Sequence, residues 1–374
     1  MSAGFVCVPR FQIKPCVVAM ALLISAGTTS DCLGQQDTPL TEQAKPRTLE
    51  NYAPFLEKTY PTVRAVVVSR GDCAIFEYYR KDIGADTRSP VYSVTKSVLS
   101  ILVGIAIDKG YLRLDEKLPE VAPDAFDDKV DQRARDITIR DLLTKTEGFA
   151  ESGEFTTKVS YPDADLWRWM LNRPVKYTPG THFRYDEIGA DLLSVVLSRA
   201  IKQNAERFAQ ENLFNPLYID NYDWLSDAEG HLFGESHLKL SARDMAKIGA
   251  LYLQHGRWGN EQIVSEAFVA ESTTKQIDGG PPVNAGYGYL WWIDSTKTNL
   301  AAFFAAGAGS QAIYVVPKLN VVVALQADKI RGGSQQFIND VILPAEALLS
   351  PSAPCVARLA RTDAPSRALR HPPN

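Results

Sequence analysis

The order of secondary-structure signals in this 374-residue chain predicts an α+β fold. An antiparallel sheet is assembled from both ends of the chain and flanked by helices, with an all-helical domain inserted between its halves. Three observations predict it. β-Branched and aromatic runs stand near the start, a helical stretch with polar loops fills the middle, and the last third returns to strand composition.

Residues 63–69 and 74–79 are separated by Arg70-Gly71-Asp72, a hairpin composition. The run Ser-Val-Leu-Ser-Ile-Leu-Val-Gly-Ile-Ala-Ile at 97–107 is apolar nearly all round and predicts a buried helix. Helical patterns follow at 139–144, 163–172, 189–201 and 205–213. Ser241-Ala242-Arg243-Asp244 reads as a capping box, with Asp244 reaching back, that opens an amphipathic helix ended near Gly256. Strands are predicted at 287–293, 300–306, 312–316 and 321–326, and a last helix at 335–349. The sheet domain is therefore expected over 50–115 and 240–349, and the helical domain over 116–239. The cleft between them is the natural place for a site.

Arg10 and Lys14 precede an apolar run at 16–25, too short to span a membrane and suited to an export signal. Residues 1–34 are expected to be a signal peptide, and the mature protein periplasmic or secreted without stable membrane association. Residues 35–49 read as a linker and 350–374 as a disordered tail. Cys73 and Cys355 alone would remain in the mature chain; because Cys355 falls in that tail, they are expected to stay unpaired. The formal charge of −4, with no basic stripe, argues against nucleic acid as a partner.

Chemistry enters at Ser93-Val94-Thr95-Lys96. Residues three apart share a helix face, so Lys96 can sit beside the Ser93 hydroxyl at the first turn of the buried helix. The positive end of the helix disfavours an ammonium there, and a neutral lysine beside a serine is a base beside a nucleophile. Ser-x-x-Lys also occurs at Ser236/Lys239 and Ser272/Lys275, but neither opens a long apolar helix.

The chain resembles the serine β-lactamase and penicillin-binding-protein-like hydrolases over roughly residues 60–347. The resemblance rests on Ser-Val-Thr-Lys-Ser, on Thr-Ile-Arg-Asp-Leu-Leu-Thr at 138–144 and on Pro-Gly-Thr-His-Phe-Arg-Tyr at 179–185. Ser-Ala-Arg-Asp-Met-Ala-Lys at 241–247 and Gly-Tyr-Gly-Tyr-Leu-Trp-Trp at 286–292 complete it. Within that group it looks most like the esterase and 6-aminohexanoate-dimer hydrolase branch.

The resemblance implies that Tyr185 faces Ser93 and Lys96 and relays a proton, with either Lys96 or Tyr185 as first base. Where the family often has Asn two residues after this tyrosine, Glu187 stands here; it would repel anionic substrates or hold Lys96 as an ammonium. Ala305-Ala306-Gly307 best matches the family's Lys-Thr-Gly or His-x-Gly strand, but lacks the basic residue. Gly307 and Gly309 are expected to line the substrate site, and the backbone amides of Ser93 and Ala308 to form the oxyanion hole.

Together these readings predict an exported serine hydrolase acting on a small ester, amide or peptide, with no cofactor and no metal. The alternatives are a β-lactamase or D,D-peptidase and, outside enzymes, a ligand-binding relative without turnover. His231 and His237 lack the spacing and company of a metal site. The acidic stretch 147–154 reads as a solvated loop at the cleft rim, and Tyr287, Trp291 and Trp292 as core.

Overall fold

The computed structural model describes residues 51–150, 166–294, 300–345 and 353–359. The export signal and linker expected at the N-terminus lie outside the described residues, as does Glu151–Glu154 of the acidic stretch.

An eight-stranded sheet forms the base of the molecule. Its strands are β1 (Val63–Arg70), β2 (Cys73–Tyr79), β3 (Gly286–Tyr287), β4 (Trp292–Asp294), β5 (Ala302–Gly307), β6 (Gln311–Val316), β7 (Val321–Ala327) and β8 (Ala357–Arg358). They lie in the order β8-β2-β1-β7-β6-β5-β4-β3, and every pairing is antiparallel. The hairpin β1–β2 pairs through Val63–Ser69 with the late strand β7, closing the sheet from both ends of the chain. Every residue of β6 and β7 is buried, as expected of central strands covered on both faces.

Helix α1 (Tyr52–Thr59) packs its buried Tyr52 edge-on to Phe76 of β2. Helix α2 (Val94–Asp108) is the apolar run predicted above, buried at almost every position and set between sheet and helical region. In the helical region, α3 (Ile139–Thr144) opens with a capping box between Thr138 and Asp141. Helices α4 (Leu166–Leu171) and α5 (Glu187–Ile201) follow. Helix α6 (Ala242–Leu253) lies on β1, β6 and β7. The Ser241 side chain accepts from the Asp244 N–H as predicted, but the Asp244 carboxylate takes the Ser241 hydroxyl at 2.6 Å and Lys247 at 2.8 Å.

Two local predictions need correction. The strand expected at 287–293 is a tight hairpin, β3–β4, in which Tyr287 pairs with Trp292. Leu290 takes a left-handed φ of 59° in its turn because that turn is held on both sides. Ser97 Oγ of α2 donates to the Leu290 carbonyl at 2.7 Å, and the Leu290 N–H donates to Leu143 O of α3 at 2.9 Å.

The tail is the second correction. Residues 353–359 are ordered against the sheet, where β8 adds an edge strand to β2, and Cys355 forms a disulfide with Cys73. Their Cα atoms are 5.5 Å apart, within the usual span for a disulfide. A cysteine in a Pro- and Arg-rich stretch is therefore paired, because strand addition carries it to the start of β2.

Candidate active site

Ser93 is the N-cap of α2, one position ahead of the first turn, with helical backbone and no side-chain capping bond. Its hydroxyl is therefore free of capping duty. Tyr92 before it is held at a φ of 49°, a left-handed conformation of the kind stored at functional sites.

Lys96 is 1 % exposed, and its Nζ makes three contacts. It donates to Ser93 Oγ at 3.2 Å and to the Glu235 backbone carbonyl at 2.7 Å, and it forms a short ion pair with Glu187. Glu187, the first residue of α5, keeps 42 % of its side chain exposed. Burial pulls the Lys96 pKa down, but the Tyr185 phenol when ionised and the Glu187 and Glu235 carboxylates push it up and outweigh burial, and the net shift is upward. Lys96 therefore rests as an ammonium. This corrects the neutral lysine expected from the helix end: the helix field is smaller than that of a carboxylate in contact.

Tyr185 arrives from the segment before α5, its ring centroid 5.2 Å from Lys96 Nζ, so that Lys96 and Ser93 both act on its phenol. The ring stacks on Trp292 at 5.5 Å and meets the edge of Tyr287 at 6.4 Å, so β3 and β4 set its orientation. Burial raises the phenol pKa, Lys96 lowers it and Glu187 raises it, with a net upward shift. Asp186 points away from this group. It caps α5 by accepting from Gly189 N at 3.2 Å and pairs with Arg173 at 2.9 Å and with Arg184.

The matched strand element is β5, and Gly307 ends it beside the serine. A Cβ on Gly307 would lie 2.3 Å from Val91 O and 3.3 Å from Ser93 N, so only glycine permits this approach. Ala308, exposed, opens the turn after β5, and Ala305 stands where the matched strand would carry its basic residue, two positions before Gly307. Gly309, expected to line the substrate site, follows in the same turn. With φ 72° it shapes the β5–β6 turn, and a Cβ there would lie 3.0 Å from Asp328 O and from Gln311 Nε2 and 3.3 Å from Ala327 O. We expect Gly307→Ala to push the end of β5 off Ser93 and slow ester hydrolysis by about 100-fold, the scale of an ångström of misplacement. Circular dichroism should be unchanged; wild-type kcat in a folded variant would contradict this.

Several site residues escaped the sequence reading. Glu235 contributes its backbone carbonyl to Lys96, which no side-chain pattern announces. Asp191 is buried behind Lys96; its signal was a lone acid among the apolar positions of α5. Lys145 and Glu147 are 1 % and 2 % exposed, so the acidic stretch does not begin as a solvated loop. Lys145 Nζ donates to Asp186 O at 2.7 Å, beneath the Tyr185–Glu187 elbow. Burial raises the Glu147 carboxyl and lowers the Lys145 amine. Among the described residues no cluster of His, Cys, Asp or Glu could hold a metal ion.

Residues 47–343 match the Beta-lactamase family. The chain belongs to that family. Its relatives include the 6-aminohexanoate-dimer hydrolase of Paenarthrobacter ureafaciens, 23% identical over 69% of this chain and 71% of that protein. The octameric penicillin-binding protein homologue from Pyrococcus abyssi shares the fold with a TM-score of 0.62 at 18% identity, covering 80% of this chain and 76% of that one. A D-stereospecific amidohydrolase from Streptomyces sp. superposes with a TM-score of 0.61 at 17% identity, covering 75% and 94%. This β-lactamase-family protein is thus a relative of hydrolases, with the Ser-x-x-Lys helix, the Tyr185 elbow and the Gly307 strand end brought together around Ser93 and Lys96.

Proposed function

We propose that this protein is an exported serine hydrolase that cleaves a small ester or amide through an acyl-serine intermediate. The observation that carries the reading is the contact of Ser93 Oγ with buried Lys96, whose Nζ lies 5.2 Å from the centre of the Tyr185 ring. Ser93 Oγ attacks the carbonyl carbon as its proton passes to the Lys96–Tyr185 pair. The same pair protonates the leaving oxygen or nitrogen as its bond to carbon breaks. The amides of Ser93 and Ala308 hold the oxyanion, and water then releases the acid. No step calls on a metal or an organic cofactor. Export is supported by the N-terminal apolar run after Arg10 and Lys14 and by the Cys73–Cys355 disulfide, a bond of oxidising compartments.

Lys96 and Tyr185 both rest protonated, so the competent base forms when the pair loses its first proton, whichever group releases it. The rate should therefore climb with pH. Glu187 raises both pKa values, so Glu187→Gln lowers both, and the rising limb of kcat/KM should move to lower pH. An unmoved limb would remove Glu187 from control of the site.

Ala305 offers no cation to a substrate carboxylate, and Glu187 adds negative charge beside Ser93 and Lys96. Both favour neutral esters and amides over β-lactams. Purified protein assayed against nitrophenyl esters, nitroanilides and a chromogenic cephalosporin should turn over the esters fastest. Faster turnover of the cephalosporin would make β-lactams the substrate class.

A further inference from the structure

Asp191 lies one turn beyond Glu187 on α5 and is 3 % exposed. Its Oδ1 accepts the Glu235 N–H at 3.0 Å, and its Oδ2 has no hydrogen-bond partner among the described residues. On the other side of the same residue, the Glu235 carbonyl accepts from Lys96 Nζ at 2.7 Å. Neighbouring residues are seated too: Trp224 Nε1 donates to Phe233 O at 2.8 Å, and a Cβ on Gly234 would lie 2.2 Å from Ala190 O. The Asp191 carboxyl thus holds the N–H side of Glu235 while the carbonyl side of the same residue takes the amine, and the Glu235 carboxylate is held separately by Ser236 and His237.

We infer that Asp191 is a positioning residue for acyl transfer: through the Glu235 backbone it fixes the carbonyl that keeps Lys96 beside Ser93. The inference rests on the serine hydrolase reading above. Without that grip the Glu235 carbonyl can turn, and Lys96, still paired with Glu187, is drawn toward α5 and away from the hydroxyl. Burial and the Glu235 carboxylate push the Asp191 carboxyl up to about 8, with Glu187 of its own helix acting in the same direction. The Glu235 N–H and Lys96 oppose them. At pH 7 the residue is a neutral acid whose carbonyl oxygen is the acceptor. An asparagine supplies the same acceptor. Above pH 8 a carboxylate forms that faces Glu187 and Glu235 and holds Lys96 more firmly as an ammonium.

The test is the rate at which a fluorophosphonate labels Ser93, measured with kcat and KM on a nitrophenyl ester for wild type, Asp191→Asn and Asp191→Ala. Asp191→Ala should lose about 100-fold in labelling rate and kcat with little change in KM, as expected when a catalytic group is misplaced. Asp191→Asn should match wild type at pH 7 and outpace it above pH 8, because it cannot ionise. A role confined to folding would move the melting temperature and leave these ratios alone. The inference is overturned if folded Asp191→Ala labels at the wild-type rate, or if Asp191→Asn is as slow as Asp191→Ala. It is also overturned if the ratio of wild type to Asp191→Asn stays flat from pH 7 to 9; that comparison stands even if the alanine variant fails to fold. Wild-type protein that neither labels nor hydrolyses would bring down the serine reading itself, and this inference with it.

Discussion

Ser93→Ala is expected to abolish hydrolysis of a nitrophenyl ester, with a fall of about 10⁴- to 10⁶-fold in kcat, as when the nucleophile of an acyl-transfer enzyme is removed. The fold should be untouched for a specific reason. Ser93 is an N-cap whose side chain makes no capping bond, so the substitution costs α2 nothing at its end. The Ser93 hydroxyl accepts from Lys96 at 3.2 Å, and Lys96 keeps Glu187 and the Glu235 carbonyl after the change. Unchanged circular dichroism with no turnover is the expected pair of results. Residual hydrolysis within tenfold of wild type would assign the chemistry to another group.

Lys96→Met is expected to come next, with a loss of about 10³- to 10⁴-fold, near the upper range for removing a general acid–base group. The magnitude follows from what Lys96 touches. It is the cation that contacts the serine hydroxyl, and it lowers the Tyr185 pKa, so both proton-handling partners suffer at once. Methionine replaces most of the buried stem, which limits packing damage. Glu187 is left without its ammonium, but its half-open side chain can take up water instead. The pH profile gives the sharper reading. Loss of the cation raises the phenol pKa further, so whatever activity remains should need higher pH than wild type. A near-normal rate at pH 7 would take Lys96 out of the mechanism.

Much of this architecture was legible in the residues because it depends on local pattern. The continuous apolar run after Ser93 specified a buried helix, and the three-residue spacing to Lys96 fixed which side chains meet. The β1–β2 hairpin and the late strands were equally plain from β-branched runs around Arg70-Gly71-Asp72. What failed were features decided by distant partners. The turn holds Gly288 but no Gly, Asn or Asp at the left-handed position, which falls on Leu290 because α2 and α3 impose its backbone. Cys355 looked unstructured by composition, because pairing with Cys73 requires β8 to reach the sheet edge 282 residues away.

In the site, Tyr185 entered through family resemblance rather than local chemistry, since nothing nearby in sequence points it toward Ser93. The protonation state of Lys96 could not be read from the helix end alone. It is set by Glu187, which lies 91 residues later and was noticed only as a departure from the family pattern. The burial of Lys145, Glu147 and Asp191 had the weakest signal of all. Charged residues are normally exposed, and only tertiary packing reveals that these are not.

The most direct measurement is the intact mass of protein quenched during turnover of a slowly hydrolysed ester, followed by peptide mapping. The account predicts one added acyl group, located on Ser93 and absent from Ser93→Ala. Sustained turnover with no adduct, or an adduct on any other residue, would contradict it.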